Sequence, residues 1–405
     1  MNNPGVSQAF TQFVMKIQSR CNLNCTYCYV YNARDNGWRR QPIAMSERTA
    51  AVSGRRIVEH ARRFGLPSVG IVFHGGEPLI AGPDALDTYA LILNREICPT
   101  AEVRLGVQTN GTLLSDEFLK VFDRWRIRVG VSLDGTPDTH DRRRRHHDGR
   151  GSQGAAIRAI RMLASAEYRH LFAGLLCVAD VEADPLGCYL ELAGLDPPAI
   201  DFLLPHANWD RPPRRLGDHR SAPYADWLIA VFDAWYGERR RAPAIRLFDE
   251  IIGLLLAFPV RSESVGLSPS TVVIIEANGD IEQIDSLKTV YDGAAGTGLN
   301  VHSHSLERAL WDPITVARQA GVEGLSQVCV SCPLRQVCGG GHFAHRYRTG
   351  SGFLNPSVYG PDLAKLITHI GTRIYADLRI KPPFLERGQA SATWAAGGRC
   401  AGWTP

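Results

Sequence analysis

A chain of 405 residues has room for one large domain or two ordinary ones, each with a real core. Its 44% hydrophobic and 21% charged residues describe a globular protein, and a net charge of +4 leaves no nucleic-acid footprint. The longest apolar run, IIGLLLAF at 251–258, is too short for a bilayer, and the opening MNNPGVSQAFTQF lacks the basic and apolar regions of a secretory signal. The expectation is a cytoplasmic protein with no membrane and no nucleic-acid partner.

In chain order, the apolar runs TQFVMKIQ, SVGIVFHG, EVRLGVQT, IRVGVSLD, LFAGLLCVAD and AIDFLLP read as buried parallel strands. Helical patterns lie between them at 47–63, 84–96, 116–125 and 153–164, with Ser46 and Ser115 as N-caps. Strand-then-helix units repeated over the first half predict an α/β fold with a parallel sheet, either a barrel or an open sheet. After Leu204 the pattern changes to a Pro-rich stretch, helices at 224–236 and 244–257, and a hairpin, TVVIIEANGDIEQID, turning at Asn278 and Gly279.

Four polar segments follow the first four strands: CNLNCTYC, HGGEP, QTNGT and SLDG. In a parallel sheet all four open on the rim at the strands' C-terminal ends, where ligands bind. A plain turn accounts for each glycine pair taken alone; the convergence points to a site. The basic run DRRRRHHDGRG at 141–151 reads for the most part as a solvated loop.

Ten cysteines in a chain of this compartment argue for metal or catalytic use over disulfides. Six fall in two groups, Cys21/Cys25/Cys28 and Cys329/Cys332/Cys338; Cys98, Cys177 and Cys188 read as small core residues, and Cys400 stands alone. Structural zinc takes four protein ligands, as does an ordinary iron–sulfur cube. Three thiolates in one short loop leave one iron of such a cube open to a small molecule. A zinc knuckle stays the competing reading, but no fourth Cys or His lies nearby in sequence.

CNLNCTYC resembles the C-x3-C-x-aromatic-C signature of the radical S-adenosylmethionine (SAM) enzymes, with Tyr27 as the aromatic, and the likeness runs from about Phe13 to Ile370. It implies a partial (β/α)6 barrel and a [4Fe–4S] cluster on Cys21, Cys25 and Cys28, with SAM as exchangeable ligand of the open iron. Reductive cleavage of SAM would give a 5′-deoxyadenosyl radical. By the same resemblance Gly75, Gly76 and Glu77 hold the methionine amine, and Ser132 and Arg144 hold its carboxylate. Leu176 lies beside the adenine, with Gln108 and Asn110 near the ribose. A reducing partner of flavodoxin or ferredoxin type is implied.

CVSCPLRQVCGGGH, C-x2-C-x5-C, resembles the core of the C-terminal SPASM domain of peptide-modifying maturases. His342 stands where that core has a fourth cysteine, Ile284 where an upstream cysteine is expected, and Gly360 where a final one is. The resemblance implies one auxiliary [4Fe–4S] cluster on Cys329, Cys332 and Cys338. Its fourth iron is either open or reached by His342, His345 or Cys400; zinc or an empty site is the alternative. Asp285 matches the aspartate proposed as general base in sulfatase-maturing members; the bland reading is a turn aspartate. The segments around 283–299 and 338–360 resemble FxsB-type maturases, some of which form three-residue cyclophanes.

The expected organisation is a barrel core at 1–215, a helical bridge at 216–270, the auxiliary domain at 271–375 and a tail at 376–405. The expected function is oxidative C–C crosslinking, of cyclophane type, in a ribosomally made precursor peptide. The alternatives are thioether or formylglycine formation, or a non-catalytic Fe–S or zinc protein. Arg142, Arg143 and Arg145 either steer an acidic leader or are simply solvated.

Overall fold

The structure, a computed structural model, describes residues 8–214, 221–238 and 243–380. Six strands follow one another with helices between: β1 (Gln12–Gln18), β2 (Ser68–Gly75), β3 (Glu102–Thr109), β4 (Arg128–Ser132), β5 (Phe172–Val178) and β6 (Ala199–Leu203). β1 through β5 pair parallel in sequence order. The helices up to β5 are α1 (Glu47–Phe64), α2 (Pro83–Ile97), α3 (Asp116–Trp125), α4 (Pro137–Arg143) and α5 (Gln153–Ala164), and Pro185–Ala193 follows between β5 and β6. The α/β class and the open, partial barrel are as expected.

Burial explains the strands. Phe13, Met15, Ile17, Ile71, Phe73, Val129 and Val131 are wholly enclosed, because helices cover a parallel sheet. Within β1, Lys16 and Gln18 are polar yet each only 3% exposed, and Lys16 is the charged one. The hairpin of Val272–Ile275 and Asp280–Glu282 extends the same sheet, since Val272–Ile275 pairs parallel with β1 from Gln12↔Val272 to Met15↔Ile275. That pairing explains why the compact units divide otherwise than the sequence boundaries. One unit comprises the residues up to Val178, Leu190–Asp201 and Ser270–Val316; the other Ala179–Tyr189, Phe202–Pro269 and the residues from Ala317 on. In the second unit the helices Pro223–Gly237, Arg246–Leu255 and Gly360–Leu378 bury Phe232, Trp235, Phe248 and Ile367. The expected tail, apart from its first residues, and Cys400 lie outside the described residues. Among the described residues no helix is long and apolar enough to cross a membrane.

Three local expectations need correcting. Cys98 is exposed, at the end of α2, while Cys177 and Cys188 are buried as expected. The basic run is not a loop throughout: its first part closes α4, whose Pro137 supplies a preset φ at the first turn. Ser115 stands at the N-cap position of α3 but its side chain accepts no capping hydrogen bond; its hydroxyl donates to Glu117 Oε2 at 2.6 Å. Ser46 does cap α1, accepting from the Thr49 N–H at 3.1 Å. Ser46→Ala is therefore expected to cost about 1 kcal/mol, and Ser115→Ala at most a few tenths. Urea midpoints of the two variants, compared at equal slope, check this.

Candidate active site

The loop after β1 is held from both sides. The Asn24 N–H donates to the Arg145 carbonyl at 2.7 Å and the Thr26 N–H to that of Arg143 at 2.9 Å, so the basic run clamps the cysteine loop through its backbone. Arg142 and Arg145 remain exposed, while Arg144 is buried. On the other flank the Gly76 N–H donates to Gln18 O at 2.8 Å and the Glu77 N–H to Arg20 O at 2.9 Å. A Cβ on Gly76 would lie 2.0 Å from the Tyr31 hydroxyl and 2.3 Å from Arg20 O, so only glycine lets the β2 loop approach this closely.

Glu77, 1% exposed, ties the third loop in. Its Oε1 accepts from the Thr109 hydroxyl at 2.6 Å and the Leu79 N–H at 3.1 Å, and its Oε2 from the Asn110 N–H at 2.8 Å. Burial pushes its pKa up, and these hydrogen bonds, with Arg144 nearby, pull against that. Asn110 accepts from the Thr112 N–H and hydroxyl, donates to Asn22 Oδ1 at 2.9 Å, and lies 4.0 Å from Cys21 Sγ. Its amide is thus engaged in fixing the Cys21 end of the loop. Gln108 donates to the Ser132 hydroxyl at 3.1 Å, and Ser132 stands beside Leu176 in the β4–β5 register.

Arg144 lies at the centre of a second network. Its guanidinium donates to the Tyr27 hydroxyl at 2.8 Å, and that hydroxyl donates in turn to Asp134 Oδ2. Its Nε is buried without a hydrogen-bond partner. The backbone of Arg144 is fixed by His140, whose Nδ1 accepts from the Asp134 N–H at 3.2 Å. The other ring nitrogen lies 3.0 Å from the Ser152 hydroxyl, which donates to Arg144 O. His140 is thereby held as a neutral imidazole, its pKa driven by burial and by Arg144 to about 3. His74 is driven to about 4 by burial and by Lys16. Both rings gain a proton on unfolding at mildly acid pH, so stability is undiminished at pH 7. It falls below the unfolded pKa near 6.5, by about 1.4 kcal/mol per pH unit for each ring, down to about 4 for His74. Urea unfolding followed at pH 7, 6 and 5 measures the slope.

A third cluster surrounds Asp285. Lys16 forms an ion pair with Asp285 Oδ2, Lys288 lies 3.7 Å from Oδ1, and His74 Nδ1 is 3.3 Å from the Lys16 ammonium. The Lys288 ammonium also sits 2.7 Å from both Glu276 and Glu282. The Glu276, Glu282 and Asp285 carboxylates lie within 4.8 Å of one another, but this lysine supplies their cation. Burial pushes Asp285 up, and Lys16 and Lys288 pull harder, holding it near 2. It is an ionised carboxylate at every physiological pH. Sequence reasoning gave no role to Lys16, His74, Asp134 or Lys288, although His74 and Asp134 lie in the HGGEP and SLDG segments; for Lys16 the local signal was a lysine inside the apolar FVMKIQ.

The second cysteine group belongs to the other unit. Cys338 ends a short helix, Arg335–Cys338, and Gly339, Gly340 and Gly341 follow with φ of 58°, 79° and 68°, a left-handed run open only to glycine at such density. The Arg346 guanidinium donates to the carbonyls of all three glycines at 2.7–3.1 Å. Burial raises the Cys338 thiol to about 12, with Cys329 and Cys332 adding to the rise and Arg346 opposing it. Gly360, the first residue of Gly360–Leu378, offers no ligand atom in its side chain.

Residues 15–181 match the family described as the Radical SAM superfamily. They form a radical SAM domain. The whole chain is an oxidoreductase-type enzyme with relatives among anaerobic sulfatase-maturating enzymes. A cysteine-type enzyme of that name from Clostridium novyi (strain NT) is 24% identical over 286 residues, covering 69% of this chain and 74% of the relative. A serine-type enzyme from Klebsiella pneumoniae is 26% identical over 362 residues, covering 84% and 83%. Among solved structures, native anSMEcpe with bound AdoMet superposes at a TM-score of 0.76 with 20% identity, over 91% of this chain and 99% of that one. At that identity the superposition establishes the fold.

A radical SAM domain uses a [4Fe–4S] cluster with SAM, and the residues present fit that pair. Burial pushes the Cys21 thiol to about 12 and raises Cys25, so thiolates form here only against a strong cationic centre. The buried, unpartnered Arg144 Nε is a donor awaiting an anion. Cys21, Cys25 and Cys28 can hold the cluster, and Arg144 with Ser132 can hold the carboxylate of SAM.

Proposed function

We propose that the chain is a peptide maturase that oxidises a peptide side chain at its β-carbon, closing a carbon–carbon crosslink to an aromatic ring two residues away. What supports the peptide substrate is that the likeness to the sulfatase-maturating enzymes does not end with the radical SAM domain at 181, but covers 84% of the chain in the Klebsiella relative. When bound, the cluster with SAM supplies a 5′-deoxyadenosyl radical that takes one hydrogen atom from the substrate.

The chain's own residues do the rest. Arg144, with Ser132 beside the Leu176 position, grips the carboxylate of SAM; a planar guanidinium suits that contact better than an ammonium would. Glu77 locks the β2 and β3 loops together, so the Gly75–Gly76 backbone meets the methionine amine in one conformation. Asp285 accepts the proton released when the substrate radical loses its second electron. A carboxylate held near 2 is a weak base, sufficient because the oxidised substrate is a strong acid. Cys329, Cys332 and Cys338 would hold one auxiliary cluster, a group able to take up an electron, and a flavodoxin- or ferredoxin-type protein would serve as reducing partner.

Arg144→Met is expected to weaken SAM binding about 10- to 100-fold, the worth of a buried hydrogen bond to a charged group. Anaerobic titration calorimetry of the reconstituted protein checks this. The substrate reading is tested with synthetic peptides deuterated at a β-carbon two residues from a tryptophan, tyrosine or phenylalanine. Deuterium in 5′-deoxyadenosine and a product lighter by two hydrogens with no aldehyde support crosslinking. A hydrazide-reactive aldehyde from a cysteine or serine peptide would instead assign formylglycine formation. SAM cleavage with no peptide altered would remove the maturase reading.

A further inference from the structure

His206, His342 and His345 come together within the second unit, far apart in sequence. One ring nitrogen of each lies within 4.8 Å of the other two, and the ring centroids are 4.9–5.7 Å apart. His345 is 3% exposed, and its Nε2 is buried with no hydrogen-bond partner, as is Nδ1 of His342. Buried polar atoms are almost always hydrogen-bonded, so a pair of unmet nitrogens side by side marks a site with an absent occupant.

The scaffold around the rings is built to hold them. The three left-handed glycines turn the chain from Cys338 to His342, and the His345 N–H donates to His342 O at 3.0 Å, one short turn placing both rings on one side. Val358 N–H donates to His345 O at 3.0 Å. The loop carrying His206 is pinned at two points: the Tyr359 hydroxyl donates to Pro205 O at 2.7 Å, and Trp209 Nε1 to Pro356 O at 2.8 Å. Burial lowers His342 to about 3 and drives His345 well down, so both rings present lone pairs at neutral pH. Arg318 and Arg346 act electrostatically on His342, which opposes a cation, but Arg318 is paired with both oxygens of Glu263 and Arg346 is spread over three carbonyls.

We propose that His206, His342 and His345 bind one zinc-class divalent ion through three imidazoles, leaving a fourth position for water or a ligand. Three neutral imidazoles are a zinc donor set of the kind that keeps such a position open. Zinc at about 2.0–2.1 Å from each nitrogen needs them about 3.4 Å apart, so binding draws the three nitrogens closer than the 4.8 Å within which they now lie. The set contains histidines alone, and we assign it a centre separate from that of the cysteine group. The inference does not depend on the proposed peptide chemistry.

The test uses the full chain, purified and reconstituted anaerobically, then equilibrated with zinc. Elemental analysis is expected to give about one zinc per chain beyond the iron. Zinc-edge X-ray absorption should show nitrogen neighbours at about 2.0–2.1 Å and no sulfur near 2.3 Å. His206→Ala, at an exposed loop position, should weaken zinc binding at least tenfold while iron content and SAM cleavage stay at wild-type level; His206→Cys should restore zinc with one sulfur in its shell. Wild-type protein without zinc, sulfur around the wild-type zinc, or His206→Ala losing iron would overturn the proposal.

Discussion

Replacing Cys25 with alanine is expected to abolish reductant-dependent cleavage of SAM, with 5′-deoxyadenosine falling at least a thousandfold. Cys25 is 9% exposed, and the backbone around it is fixed by Asn32 Nδ2 donating to Cys25 O at 2.8 Å and by the Cys28 N–H donating to the same carbonyl at 3.0 Å. None of that involves the thiol, so the loop keeps its shape while losing a ligand. Three thiolates are already one short of a full set; two leave the cluster on a bidentate hold. Iron content should fall by about four per chain while far-UV circular dichroism and the Tm move little. Cleavage retained in this variant would sink the assignment of the first cysteine group.

Asp285→Asn is expected to separate two events. SAM cleavage continues, because the cysteine loop, Arg144 and Ser132 are untouched. Peptide product falls at least a hundredfold, because an amide cannot accept the substrate proton. The variant also leaves the Lys16 ammonium without its carboxylate, facing only His74 Nδ1, whereas Lys288 keeps Glu276 and Glu282. Breaking a buried pair in this way costs about 3 kcal/mol. That cost carries a sign in pH: a carboxylate held below its unfolded pKa stabilises the fold above about 4 and loses this as pH falls toward 2, so the wild-type advantage should shrink in acid. Lys16→Met/Asp285→Asn removes both charges and should recover stability without recovering product. Normal product formation by Asp285→Asn would eliminate this residue as the base.

Much of the frame was legible because parallel strands buried on both faces announce themselves as apolar runs, and all six strands from β1 to β6 fall within a residue or two of those runs. The cysteine loop was legible for a different reason: its ligands are close in sequence, so spacing carries geometry. The Asp285 cluster was not, since Lys16 and Lys288 meet only when Val272–Ile275 pairs with β1. The same holds for His206 beside His342 and His345, a meeting made by the pinned loop after β6. Ser115 shows the limit of local signals: it stands at the cap position, yet its hydroxyl turns to a neighbouring carboxylate and makes no capping bond. The basic run shows another: its side chains suggested solvent, while its carbonyls clamp the site.

The most direct test of the central claim is electron paramagnetic resonance of the anaerobically reconstituted, reduced protein with and without SAM, read beside iron and sulfide content. About eight irons per chain, and one cluster signal that shifts when SAM is added and is missing from Cys25→Ala, are the predicted results. A spectrum that SAM leaves unchanged would contradict the account, whatever the iron content.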